Sequence, residues 1–487
     1  MDLHIVSEAN RRLNCKKPMR QQGCPIHTPI PMVIQLFKQN KLTEAGQILF
    51  ENNPLSAICA LICNHEQQCA GHCVLGKKST PVHFSSIENY ISEMYLDRMT
   101  LPKPEPKGKK VAVIGAGPAG IAAAIMLASQ RYGVTIFEWH SQIGGIMRYG
   151  IPEFRLPKSL LERYQKLLEA MGIQIRLNTT IGTVLLIDNL FRDGYASVFI
   201  GTGAEKPRCL GIQGESLGNV HFGLNYLANP AAHHLGDTVA VIGMGNAAMD
   251  VARTALRNGS RRVMLFSRDN TIAASSNEVS YAKLDGAEFV FGKQIHHITE
   301  EGPVFQTSIL DEEGKVVGYE EELELVEADS TIISISQVPR TKLVRTTDGL
   351  ESTEGGVLIV DENYMTTRPG VFAAGDVVTG AKTVVHAVEG AKAAAQTVVD
   401  QLHSDMTAAG NTESETASTP EPMPEPYKEM QTKVVNGQSY IGTLQIPALS
   451  LELPVIAEWS YPALRVAPCR YMGSVYHGNI GTQTKFL

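Results

Sequence analysis

At 487 residues the chain is too long for one hydrophobic core and calls for two or three domains plus extensions. Its 43% hydrophobic and 19% charged residues, with a formal charge of −7, are the composition of a soluble globular protein and give no reason to expect nucleic acid or a membrane surface as partner. The N-terminal MDLHIVSEANRR lacks the basic and apolar regions of a signal peptide, and no apolar run approaches the ~20 residues that span a bilayer, so a cytoplasmic location is expected.

Residues 1–108 read as short helices and loops holding six of the eight cysteines: Cys15, Cys24, Cys59, Cys63, Cys69 and Cys73. In a cytosolic chain such clustering points to ligation before disulfides. Thiolates hold iron–sulfur clusters, usually four at a time, but spacing alone leaves zinc and a metal-free set open. The proline-rich LPKPEPKGKK reads as a connector.

From Lys109 the pattern becomes buried strand, glycine turn, small-residue helix, second strand. Gly115, Gly117 and Gly120 frame GAGPAG, with Pro118 and Ala119 opening the helix. The first glycine permits the turn, the second lets a pyrophosphate approach, and the third lets helix and strand pack, while the helix N-terminus favours the negative charge. Glu138 ends the next strand 23 residues after Gly115, where a carboxylate can accept both ribose hydroxyls. The pattern recurs about 125 residues on, at Gly243-Met244-Gly245-Asn246-Ala247-Ala248, expected to bind a nicotinamide nucleotide. Arg268 after its second strand can meet a 2′-phosphate or stack on adenine, whereas Asp269 would repel a dianion, leaving NADH and NADPH both open.

Late in the chain, VFAAGDVV sets Gly375 and Asp376 after a short strand, as two-dinucleotide flavoproteins need for a second contact on the flavin's ribityl or phosphate side. This favours FAD in the first fold and predicts an α/β protein of two Rossmann-type domains, one inserted in the other: 109–228 with 340–402 for FAD, and 229–339 for NAD(P). No redox cysteine pair lies near either fold, so electrons accepted by the flavin need another exit, which a cluster in the cysteine domain would offer. Residues 403–426, rich in Ser, Thr, Glu and Pro, read as a disordered linker, and 427–487 as a β-like segment.

Together with GGIMRYGIPEFRLPK at 144–158, FIGTGA at 199–204 and VFAAGDVVTGAKTVVHAV at 371–388, these motifs resemble the small (beta) subunit of glutamate synthase and the flavin-bearing part of dihydropyrimidine dehydrogenase. The resemblance implies an NAD(P)H-dependent flavin oxidoreductase passing electrons from NAD(P)H through FAD and clusters to a catalytic reductase or synthase subunit. It implies that Glu138, Gly145, Arg155, Gly375, Asp376, Thr383 and Val384 hold FAD, and that Asn246, Ala247 and Arg268 face the nicotinamide nucleotide. It further places two four-iron clusters, one on the positions of Arg12, Cys15, Arg20 and Cys73, the other on Cys24, Cys63, Cys69 and Glu88. Arginine cannot bind iron, so one 4Fe–4S cluster, on the second set, is expected. Ser336 stands where the family has glycine, and with the two arginines it motivates a second reading: a degenerate nucleotide-binding protein without electron export. Residues 440–479 resemble the opening strands of a sortase, ending before that family's catalytic residues, so an incomplete barrel without transpeptidase activity is expected.

Overall fold

The computed structural model describes residues 3–13, 15, 17–99, 108–412, 433–435, 438–446 and 451–456. The chain divides into two units, Met1–Ala408 and Ala409–Leu487.

The first unit opens with helices Leu3–Asn10, Met19–Gln22, Ile30–Lys38, Leu42–Asn52, Ser56–Ile62 and Phe84–Arg98. Ile30, Val33, Ile34 and Phe37 recur at helical spacing and bury one face against Leu49, Ile87 and Ile91, which makes a core without strands. Most of the expected connector, residues 100–107, lies outside the described residues.

A parallel sheet follows, of β1 (Lys110–Ile114), β2 (Gly133–Phe137), β3 (Gln174–Arg176), β4 (Tyr195–Ile200) and a late strand, Val371–Ala373, in the order late strand, β4, β1, β2, β3. Residues 111–114 are apolar without alternation because helices cover both faces. The helix Pro118–Ser129 offers mostly alanine to this sheet, which brings helix and strands close. Helix Ser56–Ile62 shares the same core through Leu55, Ile58 and Cys59, and Tyr164 Oη donates to Pro54 O at 2.8 Å, so the cysteine domain is seated on this fold.

Between β4 and the late strand lie β5 (Lys206–Pro207), β6 (Val220–Phe222), β7 (Thr238–Ile242), β8 (Arg262–Phe266), β9 (Glu288–Val290), β10 (Lys293–Thr299), β11 (Gly302–Leu310), β12 (Val316–Leu325), β13 (Ser330–Ile333) and β14 (Gln337–Val338), making the late strand β15. A second parallel sheet runs β6-β13-β7-β8-β9, and β10-β11-β12 form an antiparallel sheet. β5 pairs antiparallel with β14 where the chain leaves the first fold and returns to it. The expected border between residues 228 and 229 moves upstream: β6 pairs with β13 through Val220 and Thr331, and Tyr226 lies in the core of the second sheet. Three residues of strand carry too little alternation to be seen in the sequence.

The helix Val384–Thr412 corrects the expected linker, since 403–412 are helical. Continuing a formed helix costs far less than nucleating one, and Met406, Ala408 and Ala409 are good helix formers. The rest of the expected linker lies outside the described residues. In the second unit Lys433–Val435, Gln438–Ile446 and Leu451–Ile456 form an antiparallel three-stranded sheet. No described helix is long and apolar enough to cross a membrane.

Candidate functional site: two glycine turns and a cysteine cavity

A cavity of about 630 Å³ opens at the carboxyl ends of β1 and β4, where open α/β sheets bind ligands. Gly115 (φ +99°) must be glycine, because a Cβ there would stand 2.7 Å from Gly201 O, and at Gly120 one would stand 1.9 Å from Gly115 O. Gly117 differs: a Cβ would meet no protein atom closer than 3.9 Å, so the space it leaves belongs to the cavity. Pro118 and Ala119 line that space at the helix N-terminus, with Gly145 opposite. This is the cradle a diphosphate needs.

Glu138 lines the same cavity and is 2% exposed. Its carboxylate accepts from Ala116 N–H at 2.6 Å and from His140 N–H at 2.9 Å, tying the end of β2 to the glycine turn. Trp139, which sequence reasoning missed, also lines the cavity, donates to Glu205 at 3.0 Å and lies under Arg340, 4.6 Å from its ring centre. Burial raises the Glu205 carboxyl. Trp139 could have been noticed beside Glu138; nothing local marks Glu205 or Arg340. Asp376, Thr383 and Val384 close the far side, and Gly375 (φ +80°) turns β15 toward it without lining it. Burial pushes the Asp376 carboxyl up to about 6.

The second turn repeats the first. A Cβ on Gly243 (φ +127°) would come within 2.3 Å of Ser334 O, whereas one on Gly245 would meet nothing within 4 Å. Neither glycine lines the large cavity, but Asn246 and Ala247 do, so the helix Asn246–Arg257 starts at the same cavity. Asn246 Oδ1 accepts from Ser275 N–H at 2.9 Å. Arg268, two residues past β8, is exposed and outside that cavity. Asp269 accepts from Thr271 N–H at 2.9 Å and Thr271 Oγ1 at 2.6 Å, so its carboxylate is turned into its own loop.

Arg155 lines the cavity but is committed elsewhere, donating to Asp250 at 2.6 Å and pairing with Glu278 at 3.0 Å on the second fold. Asp250, which sequence reasoning missed, is 3% exposed, lines the cavity and leaves Oδ1 without a hydrogen-bond partner. Burial pushes its carboxyl up to about 7 against the lowering pull of Arg155. Ser336 holds φ +112°, a conformation that suits glycine and strains serine.

The cysteines sort into two small cavities. Cys24, Cys63, Cys69 and Glu88 line one of about 20 Å³, with Cys59 and His65. Burial raises Cys24 and lifts Cys69 to about 12. The hydrogen bond its thiol donates to Cys59, together with burial, raises Cys63, and burial raises Glu88. Such a set of buried acids suits a cationic iron–sulfur core that would take their protons' place. Among the described residues no three His, Cys, Asp or Glu side chains converge on one point, as a single zinc ion requires. Arg12, Cys15, Arg20 and Cys73 line the other cavity, of about 50 Å³, where two guanidiniums do not fit a cluster.

The cavities nearly touch. Ile62 lines the large one and Cys63 the cysteine one; Val384 lines the large one and Val385 the cysteine one.

Residues 109–391 match the pyridine nucleotide-disulphide oxidoreductase family, and residues 2–100 match dihydropyrimidine dehydrogenase domain II, 4Fe-4S cluster. The glutamate synthase [NADPH] small chain of Escherichia coli is 31% identical over 426 residues, covering 80% of this chain and 89% of that protein. The NAD-dependent dihydropyrimidine dehydrogenase subunit PreT of the same organism is 31% identical over 409 residues, covering 81% and 94%. Mycobacterium tuberculosis FprA, solved in complex with NADPH, has a TM-score of 0.53 at 19% identity over 63% of this chain and 86% of that one, a likeness of fold. The expected likeness of residues 440–479 to a sortase is not borne out; three antiparallel strands are a common unit that specifies no family. The chain belongs to the pyridine nucleotide-disulphide oxidoreductase family, as an NAD(P)H-dependent flavin oxidoreductase with an amino-terminal 4Fe–4S domain.

Proposed function

We propose that this chain is an electron-input subunit that takes a hydride from NAD(P)H onto FAD and delivers electrons, through one 4Fe–4S cluster, to a separate catalytic reductase or synthase. FAD, when bound, supplies the change from two-electron to one-electron chemistry. The observation that supports this reading is that consecutive residues, Ile62–Cys63 and Val384–Val385, line the two cavities, so that a flavin in one would lie close to a cluster in the other.

In this reading residues 109 to about 219, with 340–402, form the FAD domain, and about 220–339 the nicotinamide domain. Gly115, Gly117, Pro118, Ala119 and Gly120 seat the FAD diphosphate, Glu138 takes the ribose hydroxyls, and Gly145, Gly375, Asp376, Thr383 and Val384 close around the remainder. Gly243, Gly245, Asn246 and Ala247 receive the nicotinamide nucleotide, whose adenosine end reaches Arg268. Arg155 holds the two folds together through Asp250 and Glu278 rather than touching FAD first. Cys24, Cys63, Cys69 and Glu88 ligate the cluster. The acceptor follows the relatives, a glutamate synthase and a dihydropyrimidine dehydrogenase, both of which name a subunit beside a larger activity.

Anaerobic purification with an absorption spectrum, iron and sulfide analysis, and addition of NADH or NADPH tests the reading. About four irons and a flavin that bleaches support it. Flavin without iron reduces the chain to an NAD(P)H–flavin reductase, and neither chromophore favours the degenerate reading that Arg12, Arg20 and the strained Ser336 motivate.

A further inference from the structure

Arg20 lines the small cavity beside the proposed cluster site and is held by two backbone carbonyls, one of them that of Cys69. Its Nε donates to Cys69 O at 3.1 Å and its Nη2 to Val82 O. Cys69 is itself one of the proposed ligands, so the guanidinium is held directly behind a ligand's backbone. Among the described residues Arg20 has no carboxylate partner within ion-pair distance, and its charge is not cancelled locally. The lining of the cluster cavity carries no Lys or Arg, and it includes the carboxyl of Glu88.

Reduction of a 4Fe–4S cluster adds one electron and therefore one negative charge. A fixed cation nearby stabilises the reduced form more than the oxidised one, and it does so strongly where protein excludes water. Arg20 is half-buried, so solvent screens part of its charge but not all.

Resting on the reading of the cluster site above, we propose that Arg20 is a tuning residue that raises the reduction potential of the cluster on Cys24, Cys63, Cys69 and Glu88. The side chain that makes the neighbouring cavity unfit for iron thereby acts on the remaining cluster. Electrons leaving the flavin meet a single station made easier to reduce by a neighbouring cation.

The test is a potentiometric titration of the full-length protein, followed by electron paramagnetic resonance of the reduced cluster, after iron and sulfide have been assayed. Arg20→Gln removes the charge and keeps a hydrogen-bonding side chain. Its ratio of reduced to oxidised cluster at a fixed potential should fall about tenfold, a downward shift of roughly 59 mV for one electron. Arg20→Lys keeps the charge and should stay close to wild type even where one carbonyl contact is lost. Should Arg20→Gln fail to retain iron, Arg20→Met supplies the neutral comparison. A midpoint unchanged in the neutral variant overturns the proposal, as does Arg20→Lys falling as far as Arg20→Gln, which would make the effect one of loop geometry. Wild-type protein with flavin and no iron overturns the cluster reading itself, which is a different result.

Discussion

The two glycine turns begin alike and diverge at their third position. In the first, Gly120 is forced, since a Cβ would stand 1.9 Å from Gly115 O; in the second, Ala248 fills the equivalent place fully buried. The strands that follow diverge as well. β2 is followed at once by Glu138, 2% exposed and holding the turn itself, whereas two residues past β8 stands the exposed Arg268. A turn braced by a buried carboxylate suits a cofactor that stays, and an open one suits a nucleotide that comes and goes. Both middle glycines are free of protein neighbours, so the shared feature is the space left for a diphosphate.

The largest expected effect breaks the comparison at its third position. Gly120→Ala must displace the backbone of its own turn, and we expect a loss of at least about 4 kcal/mol together with flavin, read by chemical unfolding and by flavin content. Ala248→Gly should leave flavin content unchanged.

The middle glycines separate the two ligands. Gly117→Ala has room in the fold and an ordinary φ of −79°, so the protein should remain folded while FAD affinity falls about a hundredfold, roughly 2.7 kcal/mol. Gly245→Ala should keep FAD and raise KM for the nicotinamide nucleotide. Flavin retention on dialysis, set beside steady-state kinetics, checks both; loss of flavin from Gly245→Ala would reverse the assignment of the folds.

Asp250 joins the two regions through Arg155, and its buried carboxyl, pushed up to about 7, makes that joint pH-dependent. The native protein holds this proton more tightly than the unfolded chain does, so this group's contribution falls as pH rises from about 4 to about 7 and is level above. Asp250→Asn should remove that slope. Urea unfolding should therefore favour the variant over wild type by roughly 4 kcal/mol more at pH 8 than at pH 4. A constant difference would mean that Asp250 stays ionised throughout.

The smallest effect concerns the return from the second fold to the first. Ser336→Gly relieves a φ of +112° and should stabilise the protein by about 1 kcal/mol, a rise of a few degrees in Tm. If Tm does not move, serine is not strained there.

Much of the site was legible because glycine turns and strand ends are local features. GAGPAG, Glu138 and Asp376 could be placed because each sits at a fixed offset from a strand that reads as apolar residues. Arg155 was expected at FAD and does line the cavity, yet its partners are Asp250 and Glu278, 95 and 123 residues away in sequence. No local pattern reports which carboxylate a distant guanidinium meets. β6 escaped notice for a related reason: three residues have no period, and only pairing with β13 makes them a strand. The helix through Thr412 was hidden by composition, since the Ser, Thr and Glu content of 403–426 outweighed the helix already running into it.

By itself, then, the sequence determined two dinucleotide folds, their order and nesting, because these depend on turn chemistry that can be read one residue at a time, whereas the expectation of one cluster in the cysteine domain came from the family resemblance, spacing alone having left zinc and a metal-free set open. Only the tertiary structure decided that Ile62 and Cys63 face different cavities, that Arg20 stands behind Cys69, and that Asp250 is buried against Arg155. Those facts arise where segments far apart in the chain are packed together, and the energy of such a contact belongs to the pair and not to either stretch of sequence.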